Sequence, residues 1–302
     1  MQEYKANGKL LLTAEYVVLD GAKALCLPCR LGQKLEVSKL EETSNFLWEA
    51  ELSDSSLWFS VEYEIDSNNI LLKNTTKEEP ALFLMKILKE LLLLKPNLNL
   101  KGLKFKTKLD FPKNWGLGSS STLIALLSDW AKVNPYELLE KTFGGSGYDL
   151  ACAVNNQPIY YERNRINPKI EKVDFYPSFH EHLFFVYLNQ KQNSREGIKM
   201  YRNLEKDEIL INKISEISED LVNVNSLENF NQLLDLHEEL LSNHLGIPTV
   251  KEKLFSDYTG GSIKSLGAWG GDFIMVSSLN KNLDYFKAKG YNTIIKYKDL
   301  IL

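Results

Sequence analysis

Cysteine is scarce. Three residues in 302, an odd number, fit a reducing compartment rather than a disulfide framework. Two of them form Cys26-Leu27-Pro28-Cys29, but a redox pair needs a helix start behind it, and the next residues, 31–37, have the pattern of a strand. A structural zinc needs four ligands, and Cys152 and the scattered histidines offer no paired spacing. Cys26 and Cys29 are therefore read as small apolar strand residues. Long apolar sequence is also lacking. The greasiest stretch, 81–94, is interrupted by Lys86, Lys89 and Glu90 and is too short to cross a bilayer, so a buried helix is expected and a membrane partner is not. Residues 1–9 hold no apolar signal region, which points to a cytoplasmic rather than a secreted protein. Excess positive charge is missing too. A formal net charge of -4 gives no electrostatic reason to expect nucleic acid. Internal repeats, low-complexity tracts and obvious linkers are absent, as are the Gly-Lys-Ser/Thr ending of a Walker A loop and a zinc-protease histidine pair. Leu241 stands where the partner of His237 would be needed, and His237, on an apolar helix face, is read as a satisfied core residue.

What is present is the composition of a globular protein, 44% hydrophobic and 25% charged, at a length that suits two domains. The first third is strand-rich, with strands expected at 10–12, 16–19, 34–37 and 57–65. A helix over 80–94 is ended by Pro96. Residues 102–109 alternate as a half-buried strand, and Pro135 opens a helix running to 143. The second half has a buried strand at 183–188, helices around 210–221 and 230–241, a glycine-rich turn at 267–271, a strand at 273–276, a helix from about 279 and a last strand at 293–297. The domain boundary is soft, between 155 and 180, and is set at 1–165 and 166–302.

The strongest local signal is Pro112-Lys113-Asn114-Trp115-Gly116-Leu117-Gly118-Ser119-Ser120-Ser121. A strand feeds a loop with two glycines, and a helix opens at the serines. Such a start presents unpaired N–H groups and the positive end of the helix dipole. Gly116 and Gly118 let backbone approach an anion, and the hydroxyls suit phosphate or Mg²⁺. The plain alternative is a helix capped by serine after a turn. Three serines behind Gly-Leu-Gly exceed that need, which favours phosphate.

This segment resembles the nucleotide loop of the GHMP kinases, usually Pro-x-x-x-Gly-Leu-Gly-Ser-Ser-Ala. Three further segments stand in family order. The run 8–19, Gly-Lys-Leu-Leu-Leu-Thr-Ala-Glu-Tyr-Val-Val-Leu, resembles the first motif, nearest its phosphomevalonate kinase form. Ser146-Gly147-Tyr148-Asp149-Leu150-Ala151 is similar to the segment with the catalytic aspartate, and to a Gly-Tyr-Asp-Ile-Ala signature of a bacterial subgroup. Gly267-Ala268-Trp269-Gly270-Gly271-Asp272 stands where the third, glycine-rich motif belongs.

The resemblance implies an α+β, two-domain fold, with a ribosomal-S5-domain-2-like N-terminal half and a ferredoxin-like C-terminal half. It implies a kinase that uses ATP and Mg²⁺ on a small-molecule acceptor. Asp149 would orient and deprotonate the acceptor, and Lys9 would stabilise charge beside it. Residues Gly116, Leu117, Gly118, Ser119, Ser120 and Ser121 would cradle the phosphates. Ser120 would ligate the metal, with Glu140 as a second ligand. The family's usual metal glutamate falls at Leu138, between Glu137 and Glu140. Glu15, Tyr16, Gly267, Ala268, Trp269 and Gly270 would line the acceptor side, and Trp269 departs from a family glycine. Glu15-Tyr16 and Gly271-Asp272 tilt the acceptor toward mevalonate or phosphomevalonate. Galactose, homoserine, other sugar alcohols and the family's ATP-dependent decarboxylation stay open, as does a catalytically silent ligand-binding or regulatory protein. The sequence leaves the oligomeric state undefined.

Overall fold

The structure, a computed structural model, describes residues 1–40, 45–66, 69–191, 194–267, 271–281 and 283–302, without the side chains of 194 and 195. Two compact units form. One comprises Met1–Gly8, Leu31–Lys113 and Leu117–Val154; the other comprises Lys9–Arg30, Asn114–Gly116 and Asn155–Leu302. This grouping does not follow the single cut at 165 suggested by the sequence. The segment around the first motif and three residues of the glycine loop belong with the C-terminal part.

The first unit is built on strands β1 (Gln2–Leu11), β2 (Ala24–Lys39), β3 (Asn45–Glu51), β4 (Leu57–Asp66) and β5 (Asn69–Thr75). Helix α1 (Glu78–Leu94), strand β6 (Leu103–Leu109), and helices α2 (Ser119–Ala131), α3 (Pro135–Thr142) and α4 (Tyr148–Val154) come next. Its strands run in the order β5-β4-β3-β6-β2, with β3 and β6 parallel and the other neighbours antiparallel. Period-2 patterning decides which face is covered. β3 buries Phe46, Trp48 and Ala50, and β6 buries Phe105, Thr107 and Leu109. α1 covers that face with Ala81, Leu84, Ile87, Leu88 and Leu91, spaced three and four apart as a helix stripe demands. Each such leucine contributes about 1.5–3 kcal/mol of burial. Phe105 is the hub, stacked on Trp48 at 5.2 Å and meeting Trp130 of α2 edge-on at 4.9 Å. α3 opens as expected at Pro135, with the Asn134 side chain accepting from the Tyr136 N–H.

In the second unit, β7 (Ile159–Glu162) pairs with Ala24–Cys26 of β2 and with β8 (Lys169–Lys172). Cys26 and Cys29 are buried strand residues, as read from the sequence. Strand β9 (Leu183–Tyr187) is followed by helices α5 (Ser194–Tyr201), α6 (Glu208–Asn223), α7 (Leu227–Leu245) and α8 (Val250–Leu254). The chain ends with β10 (Ile263–Ser265), β11 (Phe273–Ser277), α9 (Asp284–Ala288), β12 (Ile294–Lys296) and α10 (Tyr297–Leu300). Antiparallel strands in the order β10-β11-β9-β12 make a four-stranded sheet. α7 and α8 pack against β10.

Two expectations fail. Residues 16–19 are not a strand: Ala14 and Tyr16 take left-handed backbone at φ 66° and 64°, and Val17–Asp20 winds into a 3₁₀ turn closed by Gly21 at φ 98°. Val17, Val18 and Leu19 are all buried, which gives an apolar run without alternation that imitates a buried strand. The helix expected from 279 begins only at Asp284; Leu279 is exposed.

Candidate nucleotide and acceptor sites

The glycine loop ends in the geometry an anion site requires. Gly116 and Gly118 both have positive φ, 67° and 91°, which glycine adopts without a Cβ penalty. Gly118 is the N-cap of α2, and no side chain caps that helix. Among the described residues, none accepts from the N–H groups of Ser119, Ser120 or Ser121; the first intrahelical bond is Thr122 N to Gly118 O at 2.9 Å. The serines are thus not spent on capping. Leu117 is fully buried and anchors the loop, while Ser120 is exposed and Ser121 is buried. The Thr122 hydroxyl, donating to Gln33 Oε1 at 2.6 Å, pins the first turn to β2.

Gly116 has a second reason to be glycine. A methyl carbon built there would lie 2.1 Å from Asp272 Oδ2, so the Asp272 carboxylate rests against this α-carbon.

Asp149 sits in the first turn of α4, half-buried, behind three glycines of positive φ (Gly144, Gly145 and Gly147). α4 packs on α2 within the first unit, so the serine helix and the aspartate helix are neighbours. Lys9 lies on β1, half-buried, in the part of the chain that belongs to the second unit. On α3, Glu140 is exposed and Glu137 half-buried, whereas Leu138 is fully buried and cannot ligate a metal. Among the described residues, no group of three or more His, Cys, Asp and Glu is gathered as for a metal.

Glu15, expected on the acceptor side, is 1% exposed. Its Oε1 is 2.5 Å from Lys264 Nζ, and Glu238 Oε1 is 3.0 Å from the same ammonium. Ser265 Oγ donates to Glu238 Oε2 at 2.9 Å. His237 Nε2 accepts from the Ala14 N–H at 2.9 Å and lies 3.5 Å from Glu15 Oε2. Because Nε2 accepts, the imidazole is neutral with its proton on Nδ1. Burial and the Lys264 charge hold His237 well below the usual histidine range. Burial pushes Glu15 up to about 8, with Lys264 offsetting only part of that. Burial also opposes the Lys264 charge, but the two carboxylates outweigh it and hold the lysine above its ordinary range. One ammonium balances one carboxylate, and Glu15 keeps its proton.

Tyr16 stacks on Tyr201 of α5 at 5.9 Å, and a Cβ on Gly197 would meet its hydroxyl at 2.5 Å. Tyr201 and Arg202 both bond Asp20, which fixes α5 against the 3₁₀ turn. Gly267 comes after β10 at φ 72°; Ala268, Trp269 and Gly270 lie outside the described residues.

No family model and no curated protein matches the sequence. Solved structures do match. A mevalonate kinase from Methanococcus jannaschii is 16% identical with a TM-score of 0.68, the match covering 97% of this chain and 96% of that one. A Streptococcus pneumoniae phosphomevalonate kinase in complex with phosphomevalonate and AMPPNP is 17% identical at TM-score 0.67, over 100% and 98%. A Lactococcus lactis galactokinase complexed with galactose is 14% identical at 0.62, over 98% and 92%. The fold is that of the GHMP kinases.

On the GHMP fold, the residues present fit a triphosphate and Mg²⁺ in their chemistry. Free amides at a helix start behind two glycines suit phosphate, and hydroxyl and carboxylate oxygens suit Mg²⁺. His237 is a buried, hydrogen-bonded core residue, as read from the sequence, whereas the burial of Lys264 and Glu238 was not anticipated. The signal was Lys264 itself, a lone charge in the run Ser262-Ile263-Lys264-Ser265-Leu266, where every residue is buried. Among the described residues, no helix is long and apolar enough to cross a membrane.

Proposed function

We propose that this chain is an ATP-dependent small-molecule kinase, transferring the γ-phosphoryl group to a hydroxyl or phosphate of a small acceptor. The observation that carries this reading is the helix start at Ser119, which, among the described residues, is uncapped and has unengaged amides behind two left-handed glycines. In this reading the loop Gly116–Ser121 cradles the phosphates, and Ser120 offers its exposed hydroxyl to Mg²⁺, with Glu140 as the second protein ligand. The metal supplies charge neutralisation on the transferring phosphate.

Asp149 orients the acceptor hydroxyl and takes its proton, a role worth about 10²–10⁴ in rate. When the acceptor group is already a phosphate, Asp149 positions it instead. Lys9 stabilises charge in transfer. Tyr16, Gly267, Ala268, Trp269 and Gly270 form the acceptor side, and Glu15 acts by holding the turn that carries Tyr16. Glu15-Tyr16 and Gly271-Asp272 support mevalonate or phosphomevalonate as acceptor.

The test is a coupled ADP-release assay with Mg-ATP over mevalonate, phosphomevalonate, homoserine and sugars, run on the wild type and Asp149→Asn. Turnover on one acceptor, lost in the variant while ATP still binds, is the expected result. Tight ATP binding without turnover on any acceptor would overturn the kinase reading in favour of a silent ligand-binding protein.

A further inference from the structure

The segment between β1 and the 3₁₀ turn is wound against its own preferences. Tyr16 stands at φ 64° and ψ −52°, and the Val17 N–H donates to Glu15 O at 2.8 Å. That is a γ-turn with a positive central φ, the rare and strained form, and its centre is a bulky side chain. Ala14 adds a second positive φ, 66°. Backbone of this kind persists only where its surroundings over-determine it.

The surroundings here lie wholly within the second unit. The Ala14 N–H donates to His237 Nε2 at 2.9 Å, Glu15 Oε1 meets Lys264 Nζ at 2.5 Å, and Thr13 Oγ1 lies 2.7 Å from Ser218 Oγ. Among the described residues, the titratable groups that face Glu15 are Lys264 of β10 and His237 and Glu238 of α7. α6 presents the Ser218 hydroxyl to Thr13, and beyond the turn Asp20 is bonded by Tyr201 and Arg202.

The fastening is incomplete. Glu15 Oε2 and His237 Nδ1, both buried, have no hydrogen-bond partner among the described residues, and unmatched buried polar atoms oppose closure. Opening relaxes the backbone and hydrates both atoms. Loss of the Glu15 proton adds to that drive, because two buried carboxylates then share one ammonium.

We propose that residues 13–16 form a strained latch, fastened by this buried cluster and released when Glu15 gives up its proton. In the kinase reading, release withdraws Tyr16 from the acceptor side; the latch itself stands or falls without that reading.

The test is amide hydrogen exchange on the ligand-free protein from pH 6.5 to 8, corrected for the intrinsic rate at each pH, on the wild type, Glu15→Gln and Ala14→Gly. Ala14, Val18 and Leu19 have bonded amides when the latch is closed, and they are expected to exchange on the order of a hundredfold faster than the amides of β9. Closed, Glu15 titrates at about 8 against 4.5 in the open segment, so opening releases a proton. Over this interval the wild-type opening constant is expected to rise about tenfold per pH unit, about thirtyfold in all. Glu15→Gln cannot ionise and is expected to lose that rise. Ala14→Gly relieves strain in the closed form and is expected to slow opening about fivefold with the pH dependence kept. Latch amides as protected as those of β9, a wild-type opening constant indifferent to pH, or a rise that survives in Glu15→Gln would each overturn the latch. Should Glu15→Gln not fold, Ala14→Gly decides: opening that is unchanged or faster would overturn it.

Discussion

Replacing Lys264 by methionine is the sharpest perturbation of the second unit. The ammonium is fully buried, 2.5 Å from Glu15 and 3.0 Å from Glu238. Methionine matches its length and removes the positive charge of the cluster, because His237 is neutral. Breaking a buried pair by removing one partner costs about 3–5 kcal/mol, since the remaining charge is left uncompensated. Glu238→Gln in the Lys264→Met background removes that charge and is expected to recover at least half the loss. Equilibrium urea unfolding, followed by near-UV circular dichroism, measures both.

The pH dependence gives an independent check. Glu15 is raised from its ordinary 4.5 to about 8, so the native state binds the extra proton, and stability falls as pH rises through that window. His237 is lowered from 6.5, so its contribution is lost as pH falls below 6.5. Between pH 6.5 and 8 Glu15 acts alone of the two, with a slope approaching about 1.4 kcal/mol per pH unit. A Lys264→Met protein within about 1 kcal/mol of wild type, together with a flat profile from pH 6.5 to 8, would refute the reasoning, because a well-buried ammonium cannot be lost without a scale of effect like that of other buried pairs.

Two further substitutions test close packing. Gly116→Ala is expected to destabilise by about 1–3 kcal/mol through its positive φ and the clash with Asp272 and to weaken ATP binding; adding Asp272→Ala should relieve the clash, which thermal unfolding of the pair measures. Gly197→Ala drives a methyl into the Tyr16 hydroxyl and is expected to cost about 1–3 kcal/mol by overpacking and to raise the acceptor KM more than it lowers kcat, as steady-state kinetics would show.

Residues whose partners lie close in sequence, or whose pattern is periodic, were legible. α1 announced itself by its stripe and by Pro96, β6 by its alternation, and α3 by Asn134-Pro135. The glycine loop was legible because Gly-Leu-Gly followed by serines is a local device. The 3₁₀ turn at Val17–Asp20 was not, since its left-handed residues, Ala14 and Tyr16, are not the glycines that advertise such backbone. β8 carries exposed lysines and a glutamate, and it is a strand only because β7 pairs with it. The carboxylate–ammonium cluster was opaque for the opposite reason. Its members lie 249 positions apart, and charged residues are ordinarily read as surface. Gly116 suggests room for an anion, and the neighbour that needs the room in this structure is Asp272.

The distance along the chain between Glu15 and Lys264 also imposes an order of events on the ribosome. At roughly 5–20 residues per second, the carboxyl emerges about 12–50 seconds before the lysine that bonds it is made. Throughout that interval the protonated Glu15 carboxyl lacks the hydrogen-bond partner it has in the finished protein, and burying a polar group without one is costly. The part of the protein translated among the first is thus obliged to be one of the last to settle, kept hydrated until nearly the whole polypeptide has been spun out.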